Sequence, residues 1–208
     1  MDNFITIKNN VQTELVEKKS KFIANLFYVE SVKEAEEIIT KIKKKYFDAR
    51  HNCIAYRVIE QERVIEKSND DGEPSGTAGA PMLNILSKEN IVNTLVIVTR
   101  YFGGILLGTG GLVKAYSEST KLALEQAKIT KIEEGYIYKI EINYSDLDSF
   151  KYYLKNNEIK LVKEEYFENV VLYTFMPKNK TQCFEKEKIN GFNIIKMEKQ
   201  EKTHTKIC

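Results

Sequence analysis

Hydrophobic positions along this chain change their spacing several times, and each change marks an element. "KFIANLFYV" (21–29) is a dense apolar stretch that reads as a strand. From 31 to 46, Val32, Ala35, Ile38, Ile39 and Ile42 recur at helical spacing, which predicts a helix with one buried face. Ser31 stands as its cap, and Glu34, three residues later, completes the pattern of a capping box. Lys43, Lys44 and Lys45 close it, where cations complement the helix dipole, and they read as a solvated helix end. "HNCIAYRVI" (51–59) alternates as a second strand, and "NTLVIVTRYF" (93–102) is apolar enough for a buried central one. "TGGLVKAYSESTKLALEQA" (109–127) opens on glycines and continues as an amphipathic helix through Leu112, Val113, Tyr116, Leu122 and Leu124. The opening "MDNFITIKNN" is also strand-like.

Beyond about residue 134 the pattern is more compact. A strand at 136–143 is followed by a helix at 146–156 with Ser145 as its cap. Strands at 158–166 and 169–176, a weak helix around 180–189 and a short strand at 192–198 complete the order β-α-β-β-α-β. That order predicts a small ferredoxin-like α+β unit. Glycine usage shifts at the same place: eight of the ten glycines lie between Gly72 and Gly111, and only Gly135 and Gly191 follow. Two domains are therefore expected, 1–134 and 135–208, with the boundary near Glu133–Gly135.

Composition narrows the class without naming it. With 42% hydrophobic and 30% charged residues, the 208-residue chain reads as an ordinary globular protein. No apolar run approaches the roughly 18 residues of a membrane span, and no signal-peptide segment is evident, so a cytoplasmic protein is expected. Cys53, Cys183 and Cys208 are odd in number and widely spaced, which argues against a disulfide framework or a zinc site. A net charge of +2 does not mark a general nucleic-acid binder, so any such binding needs a local patch.

The chemistry concentrates in two glycine-rich stretches. "SNDDGEPSGTAG" (68–79) holds three acids, three glycines and three hydroxyls. Ser75 does not sit in a G-x-S-x-G elbow, because Gly72 lies three residues before it. Asp70, Asp71 and Glu73 are oxygen ligands suited to magnesium, although their spacing is not that of an EF-hand loop and a solvated acidic loop is the simpler reading. Ser75, Gly76 and Thr77 suit close contact with an anion or with a partner's backbone. "TRYFGGILLGTGGLVKAY" (99–116) ends a buried strand and opens a helix whose N-terminus attracts anions. Arg100, Gly103, Gly104, Gly108, Gly110, Gly111 and Lys114 are its candidate binding residues, against the plainer reading of tight strand–helix packing. The stretch matches neither a P-loop nor a dinucleotide fingerprint. His51 and Cys53 share one face of a strand, but two neighbours on one strand rarely reach catalytic geometry. His51 reads instead as a recognition or structural residue, and no catalytic residue is assigned.

Four blocks carry a family resemblance: "KSKFIA" (19–24), "DARHNCIAYR" (48–57), "SNDDGEPSGTAGAPML" (68–83) and "VTRYFGGILLGTGGLVKAYS" (98–117). In order and spacing they resemble the YigZ/IMPACT family, and the second part is similar to the C-terminal domain of its bacterial YigZ branch. The resemblance implies an α+β protein of two domains. The first would be like the fourth domain of elongation factor G, a ribosomal-protein-type βαβ fold, and the second ferredoxin-like. It also implies a link to translation, since the eukaryotic members are translation regulators. The expected function is a non-enzymatic binding protein that takes RNA, the ribosome or a translation-associated partner on a glycine-rich face, without a cofactor. The competing expectation is a magnesium-dependent enzyme acting on a phosphate-bearing small molecule, with Asp70, Asp71 and Glu73 on the metal and Lys114 on phosphate.

Overall fold

The computed structural model describes residues 4–178, 181, 189 and 191–206, and the chain divides into two compact units, Met1–Ile132 and Glu133–Ile207. It is a two-domain α+β protein.

In the first unit five antiparallel strands form a sheet in the order β2-β3-β6-β4-β5. These are β2 (Val11–Glu17), β3 (Ser20–Tyr28), β4 (His51–Glu60), β5 (Arg63–Asn69) and β6 (Thr94–Tyr101). Central β6 explains why its sequence is almost uniformly apolar. Leu95 and Ile97 face one side, against helix α1 (Val32–Lys45), while Val96 and Val98 face the other. There they meet α2 (Gly79–Lys88) and α3 (Gly108–Gln126) through Met82, Leu86, Leu112 and Tyr116. A strand covered on both faces has no polar side to show. A short β1 (Ile5–Ile7) pairs antiparallel with the start of β7 (Ile129–Ile142).

Two details of α1 differ from the sequence reading. Ser31 caps it by accepting from the Glu34 amide at 3.1 Å, but Glu34 accepts from the amide of Glu30 instead of closing the box on Ser31. At the other end Lys43 is not simply solvated: its ammonium lies 2.6 Å from the Asp71 carboxylate. β2, β5 and α2 carry no clear periodic signal. β5 is exposed at nearly every position, and α2 opens on Gly79 with Pro81 in its first turn.

In the second unit the strand order is β10-β7-β9-β8, the order of a ferredoxin-like sheet. Helix α4 (Leu147–Asn156) links β7 to β8 (Lys160–Tyr166), β9 (Val170–Pro177) follows, and β10 (Ile194–Lys206) runs well past the expected 192–198. Ser145 does not cap α4; it lies within a 3-10 turn, Tyr144–Asp146, that precedes the helix. The helix expected around 180–189 falls outside the described residues except at 181 and 189. Tyr138, Ile140, Phe150, Leu154 and Leu172 form this unit's own core. The stretch Glu133–Gly135 lies inside β7, where the Met176 carbonyl and the Phe175 ring leave no room for a Cβ at Gly135.

Candidate functional site

The site begins with strand register. His51 on β4 is the cross-strand partner of Arg100 on β6, and Phe22 on β3 is the partner of Arg100 on its other side. All three lie on the sheet face that α2 and α3 cover. The loop from β5 to α2 brings Glu73 against them, and its buried carboxylate accepts from the Arg100 Nη1 at 2.7 Å and from the Tyr116 hydroxyl at 2.8 Å. Both side chains of the ion pair are almost wholly buried. A buried pair of this kind is held only when hydrogen bonds satisfy its remaining atoms. Here one atom is left over: Arg100 Nε is buried and has no partner, while Nη2 reaches the Ser20 hydroxyl at 3.5 Å. The guanidinium also stands 5.5 Å from the Phe22 ring and 5.6 Å from the Phe102 ring.

Around this pair the loop is folded by its own acids. Asp70 accepts from the amides of Gly76, Ala78 and Gly79 at 2.8–3.0 Å, so it serves as the cap that α2 lacks locally. Burial opposes its charge, but those three amides together outweigh burial and hold the carboxyl below the usual range. Asp71 takes Lys43 and the Asn52 amide. The three acids thus face three different sets of partners, and among the described residues no group of three or more His, Cys, Asp or Glu is placed to hold a metal ion.

His51 Nδ1 lies 2.9 Å from the Asp71 carbonyl oxygen, an acceptor only, so Nδ1 carries the proton. Nε2 is left toward Glu73, 3.9 Å from its carboxylate. Cys53 is fully buried, and its single proton has two acceptors in reach, the Asp70 carbonyl at 3.0 Å and the Tyr116 hydroxyl at 3.3 Å. Burial pushes the thiol up to about 12, which makes it a poor nucleophile. Burial, then the neighbouring Cys53 and Glu73, pushes the Tyr116 hydroxyl far up as well.

Above the pair lies a recess of about 400 Å³. His51, Arg100 and Gly108 line it, together with Gly72 and Glu73 from the acidic loop. Arg50 and Phe102 also line it, although neither stands out in the sequence. α3 starts at this recess with Gly108 at φ +71° and no side chain capping its N-terminus, so its first amides are without the usual side-chain acceptor. The other candidates lie elsewhere. Thr77 is buried and donates to the Pro74 carbonyl, Ser75 is exposed, and Gly76 lies on a separate groove between α2 and α3. Gly103 donates its amide to Ser20, Gly104 and Gly110 are exposed, and Gly111 packs on Leu107. Lys114 is exposed, roughly opposite the buried Leu112, Ala115 and Tyr116 around α3, and does not line the recess.

Fold and site define a two-unit α+β protein whose first unit brings the ends of its central strands, an acidic loop and a glycine-opened helix to one recess. The model of the Impact N-terminal domain matches residues 18–124, and that of a domain of unknown function, DUF1949, matches residues 140–190. The chain belongs to the IMPACT family. It is 40% identical over 199 residues to the IMPACT family member YvyE of Bacillus subtilis (strain 168), covering 94% of this chain and 91% of the relative. It is 34% identical over 168 residues to the IMPACT family member YigZ of Escherichia coli (strain K12), covering 80% and 82%. A crystal structure of a hypothetical protein matches it with a TM-score of 0.67 at 30% identity, over 97% of this chain and 98% of the other.

Proposed function

We propose that this protein is a non-enzymatic binding protein linked to translation or its regulation, and that its first unit holds the phosphate backbone of RNA at the recess. The translation link rests on the family resemblance, which implies translation regulators among the eukaryotic members; the IMPACT homolog of Dictyostelium discoideum is 44% identical to this chain over 97 residues. The likeness to elongation factor G implied by the resemblance belongs to the same reading. One observation carries the site: an uncapped helix N-terminus opens at the recess that a buried, incompletely satisfied Arg100 lines. Glu73 lines the recess too but is committed to Arg100, Asp70 and Asp71 are turned to other partners, and Arg50 adds a cation beyond that pair. Negative charge is favoured there.

The test is RNA affinity as a function of salt, read by fluorescence anisotropy on the full chain. A labelled oligonucleotide should bind at low salt and weaken by a slope of about 0.7 per phosphate held on a single strand. Arg50→Ala should lower that slope by roughly one contact and weaken all RNA sequences alike. Affinity that ignores salt, or an unchanged slope in Arg50→Ala, removes the recess from the reading.

A further inference from the structure

The recess has two chemically different walls. One is rich in donors: Arg50, the first turn of α3 at Gly108 and Thr109, and Arg100, whose charge is offset by the Glu73 carboxylate in the same recess, which leaves Arg50 as the cation in excess. The other is apolar and includes Pro74, Phe102 and Leu106. Phe102 is 42% exposed and Leu106 82% exposed, so this wall is open to a ligand. A phosphate alone has no use for an apolar wall. A nucleotide has use for both, because a charged phosphate and a flat base stand at its two ends. The Arg100 guanidinium lies 5.6 Å from the centroid of the Phe102 ring, within cation-π range, so the ring stands between the charged and the apolar wall.

Size decides between strand types. About 400 Å³ is within the range of small-molecule pockets and suits one nucleotide. Paired bases are held in their stack and cannot enter, whereas unpaired bases can be splayed out onto an aromatic ring. The helix N-terminus is not the only donor at the recess. Arg100, 6% exposed, lines the same recess and leaves its buried Nε without a partner.

We infer that the recess takes a single unpaired nucleotide of an RNA strand, with phosphate at the N-terminus of α3 and base against Phe102. This rests on the RNA reading above and names what the site discriminates.

Binding of three probes to the full-length protein tests it: a short single-stranded oligouridine, a blunt RNA duplex, and an abasic strand of the same length. The single strand should bind at least several-fold tighter than the duplex. Phe102→Ala should weaken the oligouridine roughly tenfold and leave the abasic strand unchanged, since one stacked base is lost. Because Phe102 is partly exposed, the variant keeps its core, and an unchanged melting curve checks that. Equal affinity for single strand and duplex overturns the inference while leaving RNA binding standing. So does an equal loss for oligouridine and abasic strand in Phe102→Ala. If no RNA binds at low salt, both readings fall. Preferential binding of polyglutamate over every RNA overturns them in favour of an acidic protein partner.

Discussion

Tyr116 and Arg100 meet at a single oxygen: both donate to Oε1 of Glu73, at 2.8 and 2.7 Å. One carboxylate oxygen thus joins α3, β6 and the acidic loop. Removing Arg100 leaves that carboxylate buried without a countercharge. Arg100→Ala should destabilise the first unit by about 3–5 kcal/mol, and an apolar replacement of both Arg100 and Glu73 should recover much of that. Tyr116→Phe should cost about 1–2 kcal/mol. Urea denaturation of the three variants checks the order, and a double variant weaker than Arg100→Ala contradicts it.

Asp70 makes a pH prediction with a definite sign. Its folded carboxyl lies below the ordinary aspartate range, so its stabilisation is complete above the unfolded value and is lost as pH falls through the lowered one. Asp70→Ala should cost about 1–2 kcal/mol near neutral pH, the loss of a helix cap. The gap between the two proteins' urea midpoints should shrink below about pH 4. A gap that grows in acid would reverse the assignment.

Cys53 should be inert in the native protein. With its thiol raised to about 12, almost no thiolate exists at mildly alkaline pH, and the side chain is buried. In a Cys183→Ser, Cys208→Ser background, Ellman's reagent should react with Cys53 only on unfolding. Fast native reaction would mean that the thiol is not enclosed by Tyr116 and the Asp70 carbonyl.

Two glycines of the 103–111 turn should fail for different reasons. A Cβ on Gly103 would run into the backbone of Lys19 and Ser20, so Gly103→Ala should shift the sheet and destabilise strongly. Gly108 has open space but φ +71°, so Gly108→Ala should cost only about 1 kcal/mol, and Gly108→Asn less. Melting temperatures should be lowest for Gly103→Ala, higher for Gly108→Ala and highest for Gly108→Asn, and equal losses for Gly103→Ala and Gly108→Ala would refute it.

Periodic elements were legible because one rule governs them locally. α1, α3, β3, β4 and β6 bury residues at helical or strand spacing. β2 and β5 are flanking strands with few buried residues, and α2 has no cap of its own. Its cap, Asp70, stands outside the window in which sequence rules look. The site divides in the same way. Arg100, His51 and Gly108 could be suspected from residue type and position. The pairing of Glu73 with Arg100 spans 27 residues and that with Tyr116 spans 43, and no short-range pattern encodes either. Arg50 and Phe102 fall inside two of the family blocks but carry no chemical signal of their own, since an arginine before a strand and an aromatic after one are common. Lys114 looked suitable by distance along the chain, but 3.6 residues per turn carries it to the far side of α3.

The register that sets His51 opposite Arg100 also restricts how this protein can change over generations. Along β6, Arg100 shares a face with Val98 and Val96, while Thr99 turns the other way and donates to Asn52 at 2.7 Å. Losing or gaining one residue between Leu95 and Arg100 would swing the arginine to the α1 side and place Thr99 or Tyr101 against Glu73. β4 and β6 can therefore exchange side chains one at a time, but they must keep their length counted in pairs.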